Sequence, residues 1–143
     1  MINLSEILKP GMSAEVKKIV DVEDTVGNSS PYLNQYLSTS ACVALMVQAA
    51  MAATEGALPE GYISVGRRIE LEHEIPSMLD TAIVVKATLR EIRGNRLLFD
   101  VVGTDALGAV FRGVNERAVV NRFGLAEKGA ERATQLQELR RQL

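Results

Sequence analysis

The longest apolar stretch of the sequence lies between residues 41 and 53, where no residue is charged and Gln48 is the only polar side chain. Alanine, leucine and methionine dominate this stretch, and all three are strong helix formers. Ser38–Ser40 precede it as natural N-cap residues, and Gly56 follows it as a C-terminal stop. The pattern therefore predicts a helix over residues 38–56.

This helix carries apolar side chains on every side, and such a helix must be covered on every side. We therefore expect a core helix wrapped by the rest of the chain. At 1.5 Å per residue it is about 20 Å long, too short to cross a bilayer, so we expect no membrane partner.

Alternation of apolar and polar residues predicts strands on both sides of the helix. The first strand begins at Gly11 and runs to Val22, with a bulge at Lys18 and Ile19, where the alternation breaks. Four more strands are predicted after the helix, joined by short turns, over 62–75, 82–92, 96–104 and 109–121.

This order predicts an α+β fold, in which one antiparallel sheet curls around one helix. A length of 143 residues suits a single domain over 1–143, with its core at about 11–122. Residues 126–143 predict a highly charged helix with a narrow apolar stripe, packed loosely on the sheet or on a partner. An edge strand of the sheet can pair with a second copy, which favours a homodimer or a dimer of dimers.

Composition limits the partners and the compartment. The formal net charge of -2 gives no electrostatic basis for binding nucleic acid. The chain has no tryptophan and few aromatic residues, which disfavours stacking on bases. Cys42 is the only cysteine, and residues 1–6 lack the basic start of a signal peptide, so we expect a cytoplasmic protein.

Few kinds of catalytic centre fit this sequence. One cysteine and one histidine cannot supply a zinc site, and no glycine-rich phosphate loop is present, so we expect neither metal nor cofactor. No nucleophile elbow appears either. His73, the only histidine, shares the inward face of its strand with Ile69 and Leu71. A core residue is the commoner role for a lone inward histidine, and a catalytic residue is the other.

Two more segments have a structural and a functional interpretation. Thr39 lies at the start of the long helix, where it either caps the helix or helps its free N–H groups to hold an anion or an oxyanion. Leu33, Tyr36 and Leu37 lie in the turn-rich loop before the helix. These side chains either form a lid or wall of a pocket or plug the end of the core.

Three segments resemble the hotdog-fold acyl-CoA thioesterase superfamily, and more narrowly its fluoroacetyl-CoA thioesterase-like group. They are LSTSACVALM at 37–46, Val65-Gly66 followed seven residues later by His73, and GVNERAVV at 113–120. The resemblance runs over about 11–121. It implies a five-stranded sheet around one helix, a dimer with sites between the subunits, and a CoA thioester as substrate.

In that group a threonine at the helix start, a glutamate on the helix and a histidine on the next strand form the catalytic set, with a glycine near the reacting carbonyl. By position these are Thr39, Val47, His73 and Gly66. The valine is the main departure, because it can neither attack a thioester nor take a proton. Two others are Asn115 where a histidine is usual, and Asp80 where a glycine is usual.

Two interpretations therefore stay open. In the first, the protein is a thioesterase in which His73 activates water and Thr39 holds the oxyanion. An acid such as Glu72, Glu74 or Asp80 then replaces the missing carboxylate. In the second, the protein binds an acyl-CoA or similar acyl group without cleaving it. A hydratase ranks last, because no acid accompanies His73 on its face.

Both interpretations use one pocket, lined by the loop residues Leu33, Tyr36 and Leu37, the helix residues Val43 and Val47, and His73. They also place basic residues near the phosphates of CoA. The candidates are Arg67, Arg68, Arg112 and Arg117.

Overall fold

The computed structural model describes residues 2–143 and contains one five-stranded antiparallel sheet. The helices are α1 (Leu4–Ile7), α2 (Thr39–Thr54) and α3 (Arg122–Arg141). The strands are β1 (Ser13–Ile19), β2 (Tyr62–His73), β3 (Ala82–Arg93), β4 (Arg96–Asp105) and β5 (Gly108–Asn121). The strand order is β1-β3-β4-β5-β2, so β1 and β2 are the two edges. The α+β prediction of one antiparallel sheet packed on one long helix is confirmed.

Helix α2 packs on the inner face of this sheet. Ser38 caps it, because its Oγ accepts a hydrogen bond from the N–H of Ala41 at 3.0 Å, and the helix ends at Thr54 with a short 3-10 turn to follow. The side chains that meet the sheet are fully buried. They include Cys42, Met46, Ala49 and Ala50 from the helix and Val85, Leu89, Phe99 and Phe111 from the strands.

The prediction that the chain covers α2 on every side was wrong. Ala44, Gln48, Met51 and Ala52 are exposed, because a single sheet covers only one side of a helix. The prediction that α2 is too short to cross a bilayer was also wrong. By length and composition alone, the 19-residue span Thr39–Ala57 is long and apolar enough to cross a membrane. Its packing on the sheet is the feature that marks it as a core helix.

Strand β1 is shorter than the alternation suggested. Its register with β3 is continuous from Ser13 to Ile19, without the expected bulge, and the chain then leaves the sheet. Asp21 and Asp24 form a capping box that starts a 3-10 turn over Val22–Asp24, and this local hydrogen bonding ends the strand. Strand β2 does contain a bulge, between Gly66 and Arg68.

Helix α3 starts at Arg122, four residues earlier than the sequence suggested. The side chain of Asn121 caps it by accepting hydrogen bonds from the N–H groups of Phe123 and Gly124. No residue within Arg122–Arg141 is buried. The helix therefore extends from the end of β5 into solvent and does not pack on the sheet.

Candidate active site

Thr39 and His73 meet at the N-terminal end of α2. The threonine is the first residue of the helix, and the histidine is the last residue of β2. Thr39 Oγ1 lies 2.9 Å from His73 Nδ1, within hydrogen-bond distance. Because Ser38 provides the cap, the Thr39 hydroxyl is free to contact the imidazole. The structure thus places together the two residues that the sequence nominated as catalytic.

The imidazole of His73 also contacts a ring of the sheet. Its ring meets the ring of Phe111, the residue opposite it on β5, edge to face with centroids 6.5 Å apart. Its Nε2 is buried and has no hydrogen-bond partner within residues 2–143. When Nδ1 accepts the hydroxyl proton of Thr39, Nε2 carries the ring proton, and a buried N–H of this kind is normally satisfied by a polar group.

The helix face behind this pair is apolar. Met46 and Ala50 are fully buried, while Val43 and Val47 are half-buried. Val47 lies two helical turns from Thr39, about 12 Å along the axis. No carboxylate therefore stands at the helical position where the resemblance expects a glutamate.

Cys42 cannot replace that carboxylate. The thiol is fully buried, one helical turn from Thr39. Burial raises its pKa to about 12, so it stays protonated at neutral pH. A thiol in that state is a weak nucleophile and a weak base.

The three loop residues predicted to line the pocket, which precede α2, differ in how far they are buried. Leu37 is buried, and its N–H donates to Ser77 O at 2.7 Å. Tyr36 is half-buried and forms an isolated β-bridge with Met78. Leu33 is 42% exposed. Leu37 therefore belongs to the core, and Leu33 is the loop residue placed to meet a ligand.

The residue that holds this loop, Asn28, was not predicted from the sequence. The amide of Asn28 donates to Leu33 O at 3.0 Å and to Tyr36 O at 2.8 Å. Next to it, Gly27 lies so close to the helix start that a Cβ there would be 1.9 Å from Ser40 Oγ. This close approach packs the loop on the N-terminus of α2.

Gly66 is not near this pair within one chain. It lies on β2 seven residues before His73, which corresponds to about 20 Å along a strand. It is exposed, and its partner on β5 is Arg117.

Two of the candidate replacement acids, Glu72 and Glu74, do not face the imidazole. Glu72 and Glu74 are exposed, on the side of the sheet opposite to His73, because neighbouring residues on a strand point to opposite faces. Glu74 also accepts a hydrogen bond from Arg112 at 3.0 Å. Asp80 has a positive φ of 69°, the backbone conformation for which glycine is usual.

The structure separates the four arginines proposed for the phosphates of CoA. Arg67 and Arg68 are exposed at the bulge of β2, and Arg112 is exposed on the outer face of the sheet. Arg117 is only 3% exposed and is hydrogen-bonded inside the fold, so its assignment as a surface phosphate contact was wrong. Its inward position follows from the alternation of β5, in which Phe111, Gly113, Asn115 and Arg117 share one face.

A cavity elsewhere on the surface lacks the side chains of a catalytic centre. A cavity of about 660 Å³ lies at the far end of β2, lined by Tyr62, Asn95, Val119 and Asn121 among others. It carries no charged side chain and lacks both Thr39 and His73. Within residues 2–143, no group of three or more histidine, cysteine, aspartate or glutamate side chains is placed to hold a metal ion.

Several solved structures have the same fold as this chain. A hot-dog-like protein from Thermanaerovibrio acidaminovorans is 33% identical, with a TM-score of 0.88 over 92% of this chain and 97% of that one. The fluoroacetyl-CoA thioesterase FlK is 25% identical, with a TM-score of 0.77 over 87% and 96%. A variant of that enzyme solved with fluoroacetate and CoA is 26% identical, with a TM-score of 0.71 over 80% and 96%.

Comparison with sequences gives the family. No match is found among curated protein sequences. The family model described as fluoroacetyl-CoA-specific thioesterase matches residues 20–123, which include α2, all of β2 to β5, Thr39 and His73. The chain therefore belongs to the fluoroacetyl-CoA-specific thioesterase family, within the hotdog-fold thioesterase superfamily.

Proposed function

We propose that this protein hydrolyses a CoA thioester with Thr39 and His73. The observation that carries the proposal is the 2.9 Å contact between the hydroxyl and the imidazole at the N-terminus of α2. A histidine is the side chain best suited to exchange protons near neutral pH, and helix N-terminal N–H groups stabilise developing negative charge. Membership of a thioesterase family supports the same chemistry.

The reaction then needs two proton transfers, the formation of a carbon–oxygen bond and the cleavage of the carbon–sulfur bond. The Thr39 hydroxyl first turns from Nδ1 of His73 to the thioester carbonyl oxygen. Nδ1 then takes a proton from a water molecule, and the water oxygen bonds to the carbonyl carbon. The tetrahedral oxyanion accepts hydrogen bonds from the Thr39 hydroxyl and the first N–H groups of α2. When the carbon–sulfur bond breaks, the proton on the imidazole passes to the CoA thiolate. The products are a carboxylic acid and free CoA.

We propose that the active site forms in a homodimer. Strand β2 is an edge strand of twelve residues, and the exposed apolar side chains of α2, such as Ala44 and Met51, are uncovered in one chain. A second copy that pairs antiparallel with β2 removes the free edge and brings the partner's Gly66 toward His73. The exposed Arg67 and Arg68 then lie near the same interface and can meet the phosphates of CoA.

A second function is favoured by one observation, the apolar residue Val47 where a carboxylate is expected. Without a carboxylate the same pocket binds an acyl-CoA and does not turn it over. The two functions differ in a simple assay. Thiol release is measured with short and long acyl-CoAs for the wild type and for His73→Ala, together with the melting temperature in the presence of each acyl-CoA.

If the protein is a hydrolase, the wild type releases thiol, and the rate of release falls by about 10²-fold or more in His73→Ala. A wild type that releases no thiol but melts at a higher temperature with acyl-CoA identifies a binding protein. Thiol release that is equal in the two proteins removes His73 from the mechanism.

A further inference from the structure

A buried polar cluster joins the end of α2 to β2 and β5. Its members are Glu55, Ser64, Asn115 and Arg117. Arg117 donates from Nε to Ser64 Oγ and from Nη2 to Ser64 O, each at 2.9 Å. Glu55 accepts from the N–H of Ser64 at 3.0 Å and from its Oγ at 2.8 Å. Burial lowers the pKa of Arg117 while the charge of Glu55 opposes that shift, so the two residues belong to one electrostatic unit.

The cluster holds both sides of the bulge in β2. Gly66 pairs with Arg117, and Arg68 pairs with Glu116, which leaves Arg67 as the extra residue. On one side of the bulge, Arg117 forms its two hydrogen bonds with Ser64. On the other side, Asn115 donates to Arg68 O at 3.1 Å. Arg117 Nη1 also donates to Asn115 Oδ1 at 3.3 Å, so the two side chains that bind β2 on either side of the bulge are hydrogen-bonded to each other.

The bulge decides which way His73 faces. Ser64 points inward, where it meets Glu55 and Arg117, and His73 points inward, where it meets Thr39. The two residues are nine positions apart, and residues separated by an odd number lie on opposite faces of a regular strand. The one extra residue at the bulge restores a common face. Without it, an inward Ser64 would leave His73 on the outer face, away from Thr39.

The hydrogen bonds of Arg117 and Asn115 add to the pairing with β5 and to the packing of Ile69 and Leu71 on the core in setting which side chains of β2 face inward. Among residues 2–143, β5 is the one strand that pairs with β2, so the other edge of β2 has no ladder of hydrogen bonds within these residues. A shift of one residue in the second half of such a strand moves every side chain there to the other face. Side-chain hydrogen bonds to Ser64 O and Arg68 O fix the position of the bulge where the ladder is interrupted.

We propose that Arg117, together with Asn115, is a positioning residue that fixes the bulge at Arg67 and so turns His73 toward Thr39. Its importance for hydrolysis rests on the function proposed above, but the geometric role does not. Lysine cannot take over this role, because it is a point charge without the planar fork that binds Ser64 twice and Asn115 once. The loss is therefore expected in Arg117→Lys as well as in Arg117→Met.

The single histidine makes the test direct. In protein labelled with ¹⁵N and ¹³C at histidine, the only imidazole signals come from His73. In the wild type we expect a through-space contact between the Thr39 methyl group and the imidazole. In Arg117→Met and Arg117→Lys we expect that contact to disappear and the imidazole signals to shift. We also expect kcat for thiol release to fall, by a factor at least ten times larger than the factor by which KM changes.

Arg96→Met is the matched control. It removes an arginine from the neighbouring strand β4, together with its hydrogen bond to Glu116, the residue next to Arg117. The histidine signals of this variant are expected to match those of the wild type. Ser64→Ala removes one hydroxyl from the cluster, and it is expected to weaken the contact even if Arg117→Met does not fold.

The positioning role is overturned if Arg117→Met folds and keeps both the wild-type imidazole signals and the contact to Thr39. If Arg117→Met is unfolded, the positioning role is overturned by a Ser64→Ala protein whose imidazole signals and contact to Thr39 equal those of the wild type. These signals do not depend on turnover. A wild type without thiol release therefore rejects the proposed hydrolysis, while the spectra still decide whether Arg117 positions His73.

Discussion

The hydroxyl oxygen of Thr39 lies 2.9 Å from Nδ1 of His73, although the two residues are 34 positions apart in the chain. One belongs to the first turn of the core helix and the other to the end of an edge strand. The contact places a group that exchanges protons beside a hydroxyl donor at the positive end of a helix. This combination suits the chemistry of a thioester carbonyl.

Replacement of Thr39 by alanine should lower kcat for thiol release by about 10²-fold, because it removes a donor to the oxyanion. Thr39→Ser keeps the hydroxyl and should retain most of the activity. Ser40→Ala is the control, since the neighbouring hydroxyl forms its hydrogen bond with Ser38 Oγ and not with His73. Equal kcat values for Thr39→Ala and Ser40→Ala would remove Thr39 from the proposed site.

Introduction of a carboxylate at Val47 should raise the rate. Val47→Glu restores the acid that is usual at this helical position, and a positioned general base contributes about 10²-fold or more. Since Val47 is half-buried, the melting temperature should fall at the same time. Gln48→Glu places the same carboxylate on the exposed face of the next residue. A similar rise in kcat in both variants would contradict the alignment of α2 with its relatives.

Disruption of the exposed face of α2 should separate the proposed dimer. Met51 is 37% exposed on that face. Met51→Glu buries a charge in any interface that covers it, so sedimentation velocity should show a monomer where the wild type shows a dimer. Leu136→Glu, on the exposed helix α3, should leave the mass unchanged. A wild type that sediments as a monomer at all concentrations would reject the dimer.

The thiol of Cys42 should resist modification in the folded protein. It is fully buried, and burial raises its pKa to about 12. A disulfide reagent that releases a coloured thiol should therefore react slowly at pH 7 to 9 and completely after denaturation. Fast reaction of the native protein would show that α2 opens on the time scale of the assay.

The same pKa shift predicts the sign of a pH effect on stability. The thiol stays protonated in the folded chain but ionises at about pH 8.5 in the unfolded chain, so stability is unaffected below that pH. Above it, the free energy of unfolding should fall by about 1.4 kcal/mol per pH unit. Urea titrations of the wild type and Cys42→Ala between pH 8 and 10 should differ by this slope.

Much of the fold was predictable because its patterns are local. The uncharged stretch between residues 41 and 53 and the cap at Ser38 are helix signals that need no partner. The alternation from Ile69 to His73 identified the inward face of β2, and Gly94-Asn95 marked the hairpin between β3 and β4. Even so, the end of β1 was missed, since the capping box at Asp21 competes with the strand there.

By itself, the sequence determined the α+β class and the core helix, since periodicity and capping are properties of short segments. Its resemblance to a family nominated Thr39 and His73 for catalysis. Only the tertiary structure decided that Arg117 is buried, that α2 keeps an exposed face, and that a bulge at Arg67 turns His73 toward Thr39. These features depend on the register between strands and on which surfaces meet, and both are set by contacts between residues far apart in the chain.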